Sequence, residues 1–156
     1  MKSSLPFLFI FLLVSASFKA EAQKPVITKI AKFKPPVVQT FLGINTNGAA
    51  VTNEDAAQLI ALPLKITDAK KNAYTIDSYQ FLYKRKSVIQ DEETGKKQST
   101  FTTVADIFKV TPLPKVWIDN LKGSFQKDEE LYFFDIVVKD NTGRKFSAPD
   151  LKITIQ

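Results

Sequence analysis

The chain has 156 residues, a formal net charge of +6 at pH 7, and neither cysteine nor histidine. Without cysteine there is no disulfide and no thiolate nucleophile, and without histidine the commonest general base and the usual zinc ligand are missing. These absences exclude every arrangement of the serine–histidine–aspartate type. An enzyme of this composition would have to work with carboxylates, lysine or tyrosine, so we expect a protein that is not an enzyme and needs no cofactor or metal.

The first 22 residues have the features of a secretory signal peptide. Lys2 gives a basic start, residues 5–14 are apolar, and Ala20-Glu21-Ala22 has the small residues that signal peptidase accepts. The apolar run is shorter than the roughly 20 residues that a bilayer crossing needs. We therefore predict cleavage after Ala22, no membrane span in the mature chain, and an exported protein that is periplasmic or secreted.

Residues 23–34 are predicted to form a leading extended segment, with a first edge strand as an open alternative. The segment mixes β-branched residues with lysines, and lysines on an edge strand oppose unwanted sheet pairing. Only one aromatic residue, Phe33, lies among these lysines, which is weak evidence for stacking on bases, so we expect no nucleic-acid partner. A single domain is then predicted over residues 35–156.

The first half of this domain is predicted to form short strands and one small helix. Residues 37–42 and 64–67 are predicted strands. Between them, Thr52 or Asn53 can cap a helix that Pro63 ends. Residues 73–85 then carry a long strand signal, whose aromatic phase slips by one residue at Asp77-Ser78 and so predicts a bulge.

The tyrosines of the long strand allow two interpretations. Packing in the core or across strands is the leading one. The alternative is a carbohydrate- or small-ligand-binding module that uses exposed Tyr74, Tyr79 or Tyr83 as stacking surfaces.

Residues 84–98 read as a solvated hairpin with its tip near Thr94-Gly95. Charges of both signs flank the tip, and the acidic residues 91–93 cancel much of the basic charge. The candidate partner-binding residues of this hairpin are Lys84, Arg85, Lys86, Lys96 and Lys97.

The second half is predicted to contain one more helix and a final hairpin. Within residues 111–123, Leu113, Val116, Trp117 and Leu121 share one helical face, so the tryptophan is expected to cover the sheet. A strand follows, then a tight turn over residues 140–143, and strands over 145–147 and 151–155 end the chain.

Asp135 lies inside the apolar strand "LYFFDIVV" and raises the question of a catalytic carboxylate. Strict alternation places Asp135 on one face. That face also carries Leu131, Phe133 and Val137, and the opposite face carries Tyr132, Phe134, Ile136 and Val138. We expect a structural aspartate that lies where this face opens to water, or that a nearby backbone N–H or lysine satisfies.

Two acidic clusters, residues 91–93 and 128–130, lack the alternate ligand spacing and the glycine of a calcium loop. Exposed acidic turns are the expected explanation. A carboxylate-dependent hydrolase remains a lesser alternative, because the sequence does not give the separation of two carboxylates in space.

The ordered pattern resembles the C-terminal domain family of GldM, the gliding-motility-associated periplasmic protein of Bacteroidota. The matching blocks are "PPVVQTFLG", "GAAVTNEDAAQLIAL", "IDSYQFLY" and "IDNLKGSFQKDEELYFFDIVVKDNTG". The resemblance implies a mainly β fold, an immunoglobulin-like antiparallel β-sandwich with one or two short helices. It also implies contacts with partner proteins of the type IX secretion and gliding apparatus, and it supplies no catalytic residues.

The leading hypothesis is therefore a non-enzymatic exported β-sandwich module that binds a protein partner in the cell envelope. Binding would use an edge strand or the charged hairpin over residues 84–98. The sequence does not identify the partner and leaves the oligomeric state open.

Overall fold

Extended backbone dominates residues 32–156, the part of the chain that this computed structural model describes. β-Branched and aromatic side chains recur through it, and these suit a pleated, half-buried surface. The predicted signal peptide lies outside the described residues, as do positions 23–31 of the predicted leading segment. Residues 34–156 form one compact unit.

Within residues 32–156 the structure has eight strands and two short helices. In chain order they are β1 (Val38–Leu42), β2 (Ala49–Val51), α1 (Asn53–Leu59), β3 (Leu64–Asp68), β4 (Ala73–Gln90), β5 (Lys97–Phe108), α2 (Lys115–Leu121), β6 (Glu130–Lys139), β7 (Lys145–Ser147) and β8 (Leu151–Ile155). The mainly β class with two short helices is confirmed. The Thr52 side chain caps α1 as predicted, accepting a hydrogen bond from the Asp55 N–H at 3.2 Å.

Strand β4 is the centre of the sheet because its 18 residues reach three neighbours. It pairs antiparallel with β6 along one edge, while β3 and then β5 pair with it along the other. Beyond β6 come β7 and β8, and beyond β3 comes β1. This curled arrangement fits a β-sandwich, and the immunoglobulin-like detail stays a prediction.

The sheet is mixed, so the wholly antiparallel arrangement is wrong for one pair. The three-residue strand β2 runs parallel to β8. The turn before β2 docks on β8, because Gly48 N–H donates to the Lys152 carbonyl and Lys152 N–H donates to the Asn47 side chain, each at 2.9 Å. These contacts join residues more than 100 positions apart, which no local pattern encodes.

The core lies on the inner face of the sheet, where α2 covers part of it. The ring of Trp117 meets the edges of Phe81 and Phe108 at centroid distances of 5.7 and 5.5 Å. Edge-to-face contacts of this kind stabilise aromatic clusters beyond their buried area. The prediction that Trp117 covers the sheet is confirmed, but Val116, assigned to the same face, is 63% exposed. Val116 therefore lies at the outer margin of the contact, and Leu121 is the buried residue of α2.

The register of β4 against β6 shifts twice, and each shift accommodates an aspartate. Between Ile76 and Ser78 the extra residue is Asp77 on β4, where the slip in the sequence predicts a bulge. Between Ser78 and Gln80 the extra residue lies on β6, where Asp135 has a φ of 47°. Aspartate is one of the few residues other than glycine that adopt this left-handed region readily.

The bulge on β6 overturns the face assignment that strict alternation gives. Leu131 and Phe133 are buried, and so are Ile136 and Val138. One extra residue at Asp135 changes the alternation, so the apolar residues before and after it reach the same core. The other side of the strand carries Tyr132, Phe134 and Val137.

Asp135 itself is exposed, and its carboxylate accepts a hydrogen bond from the Gln80 side chain at 2.7 Å. The expectation of a structural aspartate at a wet position agrees with this geometry. The satisfying group is a neighbouring amide on β4 rather than a backbone N–H or a lysine.

Candidate functional site: the hairpin arm

The β4–β5 hairpin extends beyond the end of β6. The last pair of β4 with β6 is Lys84 with Glu130, whereas β4 and β5 remain paired as far as Gln90 and Lys97. We call residues 85–102 the arm. Its strands lack a third neighbour among the described residues, and most of its side chains are exposed.

The turn at the end of the arm is built around Asp91. Its carboxylate accepts hydrogen bonds from the N–H groups of Glu93 and Thr94 and from the Thr94 hydroxyl, at 2.7 to 3.0 Å. The Thr94 N–H and hydroxyl, with the Glu93 N–H, lower the pKa of Asp91. Gly95 has a φ of 67°, which glycine adopts without steric cost. The predicted tip near Thr94-Gly95 is confirmed.

The structure distributes the five predicted partner-binding residues over different surfaces. Lys84 and Lys86 lie on the outer face and form ion pairs with Glu130 at 3.2 Å and with Asp128 at 3.1 Å. The Lys84 ammonium also lies 4.5 Å from the ring centroid of Phe101. These two lysines are therefore already engaged within the chain.

Arg85 points to the opposite, inner face, since side chains alternate along a strand. There it lines a cleft of about 290 Å³ between the hairpin and α2. No residue from 32 to 156 forms an ion pair with it. The last two predicted residues, Lys96 and Lys97, follow the turn at the far end of the arm and are exposed. The five basic side chains thus do not form one patch.

The cleft beside Arg85 combines an apolar wall with a few polar groups. Val104, Val116 and Trp117 supply the apolar surface, while Tyr83 and Ser124 lie at its inner end. Val104 is 48% exposed and Val116 is 63% exposed, so both are accessible. The cleft can accept an apolar side chain and can place an anionic group against Arg85.

Exposed apolar residues collect on the arm and beside it. The members of this set on β4 and β5 are Val88, Ile89, Phe101, Val104 and Ile107. Alternation places Val88, Phe101 and Ile107 on the outer face, and Ile89 and Val104 on the inner face. Contiguous exposed apolar surface of this kind marks interaction sites. The set is not among the predicted site residues, although the adjacent Val88 and Ile89 in a charged hairpin are a visible signal of it in the sequence.

Two of the three tyrosines proposed as stacking surfaces, Tyr79 and Tyr83, face inward, which is a correction. Tyr79 is 1% exposed and Tyr83 is 2% exposed. Both follow the Asp77 bulge, which directs them to the inner face. Tyr74 is half-buried, its ring meets Phe146 edge-on at 5.3 Å, and its hydroxyl donates to Asp68. The rings of Tyr79 and Tyr83 therefore expose no surface on which a ligand could stack.

Four surface clefts in the described part of the chain are each lined by no more than one carboxylate. No group of three or more acidic side chains between residues 32 and 156 is placed to hold a metal ion. The clefts thus give no support to the hydrolase alternative.

One acidic residue departs from the expected exposed turn at positions 128–130. The Glu129 side chain is fully buried. It accepts hydrogen bonds from the Tyr83 hydroxyl and from the backbone N–H groups of Lys86 and Gln126. A carboxylate with all its partners inside the fold is a structural group, and it ties the base of the arm to the start of β6.

Among residues 32–156 no helix is long and apolar enough to cross a membrane. No model of a known protein family matches the chain, and no curated protein matches it. The resemblance to the C-terminal domain family of GldM therefore stays a prediction from the sequence.

Proposed function

We propose that this protein is a non-enzymatic, exported module of immunoglobulin-like type that binds another protein of the cell envelope. The observation that carries the proposal is the arm, which exposes apolar side chains on a two-stranded projection instead of burying them. Exposed apolar surface of this kind has a cost in solubility, and a binding partner that covers it removes that cost.

The cleft between the arm and α2 is the proposed anchor point. Arginine and tryptophan are enriched in the energetic centres of protein interfaces, and Arg85 and Trp117 line this cleft. An apolar side chain of the partner would contact Val104 and Val116, and a neighbouring carboxylate would reach Arg85. Lys96 and Lys97 at the end of the arm favour the same acidic character in the partner.

Sequence features support the proposed location in the cell envelope and the proposed class of partner. The signal-like residues 1–22 support export, and the resemblance to the GldM C-terminal domain family supports a partner in the type IX secretion or gliding machinery. The chain would act there as a separate binding module.

Site-specific photo-crosslinking tests the proposal. A photoreactive residue at Val116 should capture one defined envelope protein from extracts of the cells that make this chain. A matched probe at Ile44, which is equally apolar and 92% exposed, should not. Excess unlabelled protein should compete for the adduct, whereas the Arg85→Glu variant should compete poorly.

The same experiment can reject the proposal. If the Val116 and Ile44 probes capture the same proteins, the cleft has no selectivity. If Arg85→Glu competes as well as the unchanged protein, the cleft is not the binding surface.

A further inference from the structure

Strand β5 presents a long open edge. Its only strand partner among residues 32–156 is β4, and its side chains from Lys97 to Ile107 are exposed except for that of Thr100. Its 12 residues are about twice the usual strand length. Proteins normally protect such an edge with charges, proline or bulges. Residues 98–105 contain none of these protecting residues.

The hydrogen-bond pattern shows which backbone groups the edge offers. The Asp91 N–H donates to the Lys96 carbonyl at 2.9 Å, so Lys96 bonds inward to β4. The β4–β5 register is continuous, and hydrogen-bonded pairs alternate along an antiparallel ladder. Even-numbered residues of β5 therefore bond to β4, and odd-numbered residues point their N–H and C=O groups outward. The Ile107 N–H fits this pattern, since it turns outward and donates to the Asp106 carboxylate.

We propose that this edge is a self-association site at which β5 of a second copy pairs antiparallel, with a two-fold axis at Phe101. A two-fold axis perpendicular to the sheet places residues of the same face opposite each other. The outward groups of the odd-numbered residues then pair across the axis, Ser99 with Thr103 and Phe101 with its own copy. The two β4–β5 hairpins become one continuous four-stranded ribbon.

Charge complementarity selects this register. With the axis at Phe101, Lys96 lies opposite Asp106 of the second copy, and the pair occurs twice. Neither Lys96 nor Asp106 forms an ion pair with another residue of the described chain, so both charges are available. The acidic turn, with Glu93, is also carried towards Lys109 of the second copy. An axis moved by one residue would place Lys96 opposite Phe108 and lose the pairing.

Side-chain packing agrees with the same axis. Phe101 is 42% exposed and would contact its own copy, while Thr100 would lie opposite Thr102. Aromatic pairs and threonine pairs are among the favourable cross-strand neighbours. The edge borders the cleft beside α2, since Val104 of β5 lines it, but dimerisation of the purified protein does not depend on the proposed envelope partner.

Charge reversal tests the register on the purified protein. Sedimentation should show a concentration-dependent dimer, and Asp106→Lys or Lys96→Asp alone should each raise its dissociation constant about tenfold or more. Combining the two reversals should restore the dimer, because positions 96 and 106 then again carry opposite charges across the axis. A chain that is still monomeric at about 1 mM overturns the proposal, as does a double variant that dimerises no better than the single ones.

A cysteine pair gives an independent geometric check, since the chain contains no cysteine. In the proposed register Phe101→Cys faces its own copy at about 5.5 Å between Cα atoms, which suits a disulfide. Thr103→Cys faces Ser99 and should remain uncrosslinked under the same mild oxidation. Crosslinking at position 103 but not at 101 would rule out this axis. Circular dichroism of each variant establishes that the fold is retained.

Discussion

The Tyr83 hydroxyl donates a hydrogen bond to the carboxylate of Glu129, deep in the fold at the base of the arm. The same carboxylate accepts the N–H groups of Lys86 and Gln126 at 2.8 Å each. Burial, reinforced by the Glu129 charge, raises the pKa of Tyr83, so its hydroxyl remains a donor at neutral pH. This junction connects β4 to the residues that lead into β6.

We expect Glu129→Gln to lower the free energy of unfolding by about 3 kcal/mol. The glutamine amide keeps one acceptor oxygen. Its NH₂ group, however, must face a group that donated a hydrogen bond to the carboxylate, so two donors oppose each other in the buried site. Urea unfolding followed by tryptophan fluorescence measures the loss.

The neighbouring residue provides a matched control for that variant. Glu130 is partly exposed and forms ion pairs with Lys84 and Lys152. Such pairs contribute little, so Glu130→Gln should cost less than about 1 kcal/mol. If both variants lose the same free energy of unfolding, the buried hydrogen bonds of Glu129 stabilise the fold no more than the exposed ion pairs of Glu130 do.

Alkaline pH should destabilise the fold through Tyr79. Burial raises the pKa of Tyr79 to about 12, whereas an unfolded tyrosine ionises near 10. Between these values the unfolded chain has lost the proton that the folded chain keeps, so stability falls as pH rises. The contribution of this group falls by up to about 1.4 kcal/mol per pH unit.

Tyr79→Phe isolates that contribution. The variant loses the hydrogen bond to the Val110 carbonyl, so it should be less stable than the unchanged protein at pH 8. The difference should shrink between pH 10 and 12. A difference that stays constant over this range in urea titrations contradicts the assignment.

Acid should weaken the final hairpin through Asp140. The Thr142 hydroxyl, with the N–H groups of Thr142 and Arg144 and the Arg144 guanidinium, holds the pKa of Asp140 well below its usual range. A depressed folded pKa stabilises the protein above the unfolded value near 3.9, and this stabilisation is lost as pH falls. Asp140→Asn should therefore be less stable at pH 7, and the difference should narrow from pH 5 to pH 2. Thermal unfolding at each pH measures the difference in stability between the two proteins. A difference that stays constant with pH would show that the Asp140 charge does not stabilise the hairpin.

Local pattern was enough to predict the strands other than β2, the hairpin turns and the Asp77 bulge. Alternation and turn residues such as Gly95 and Gly143, both at positive φ, are encoded within a few positions. The parallel β2–β8 pair was not predictable, since it depends on contacts across the whole chain. Glu129 was also hidden, because two of its three donors, the Tyr83 hydroxyl and the Lys86 N–H, are 46 and 43 positions away along the chain.

The hairpin was predicted in place, but the cleft beside it was not. The charged hairpin is present, yet alternation divides its basic residues, and nearby acids pair with Lys84 and Lys86. The cleft residue Trp117 comes from α2, which reaches the hairpin only in the folded chain. The spacing of residues within one strand cannot predict a contact with a separate helix.

The bulge at Asp135 should depend more on the backbone conformation of this residue than on its side-chain hydrogen bond. A φ of 47° is readily accessible to glycine and asparagine but strained for a β-branched residue. Asp135→Val should therefore cost about 1–3 kcal/mol, and Asp135→Gly should cost clearly less although it also loses the hydrogen bond to Gln80. Both variants lack the hydrogen bond to Gln80, so the difference between their free energies of unfolding in urea reports the backbone strain. If the valine variant is as stable as the glycine variant, the bulge does not fix the backbone, and β6 can instead adopt the regular alternation that its sequence suggests.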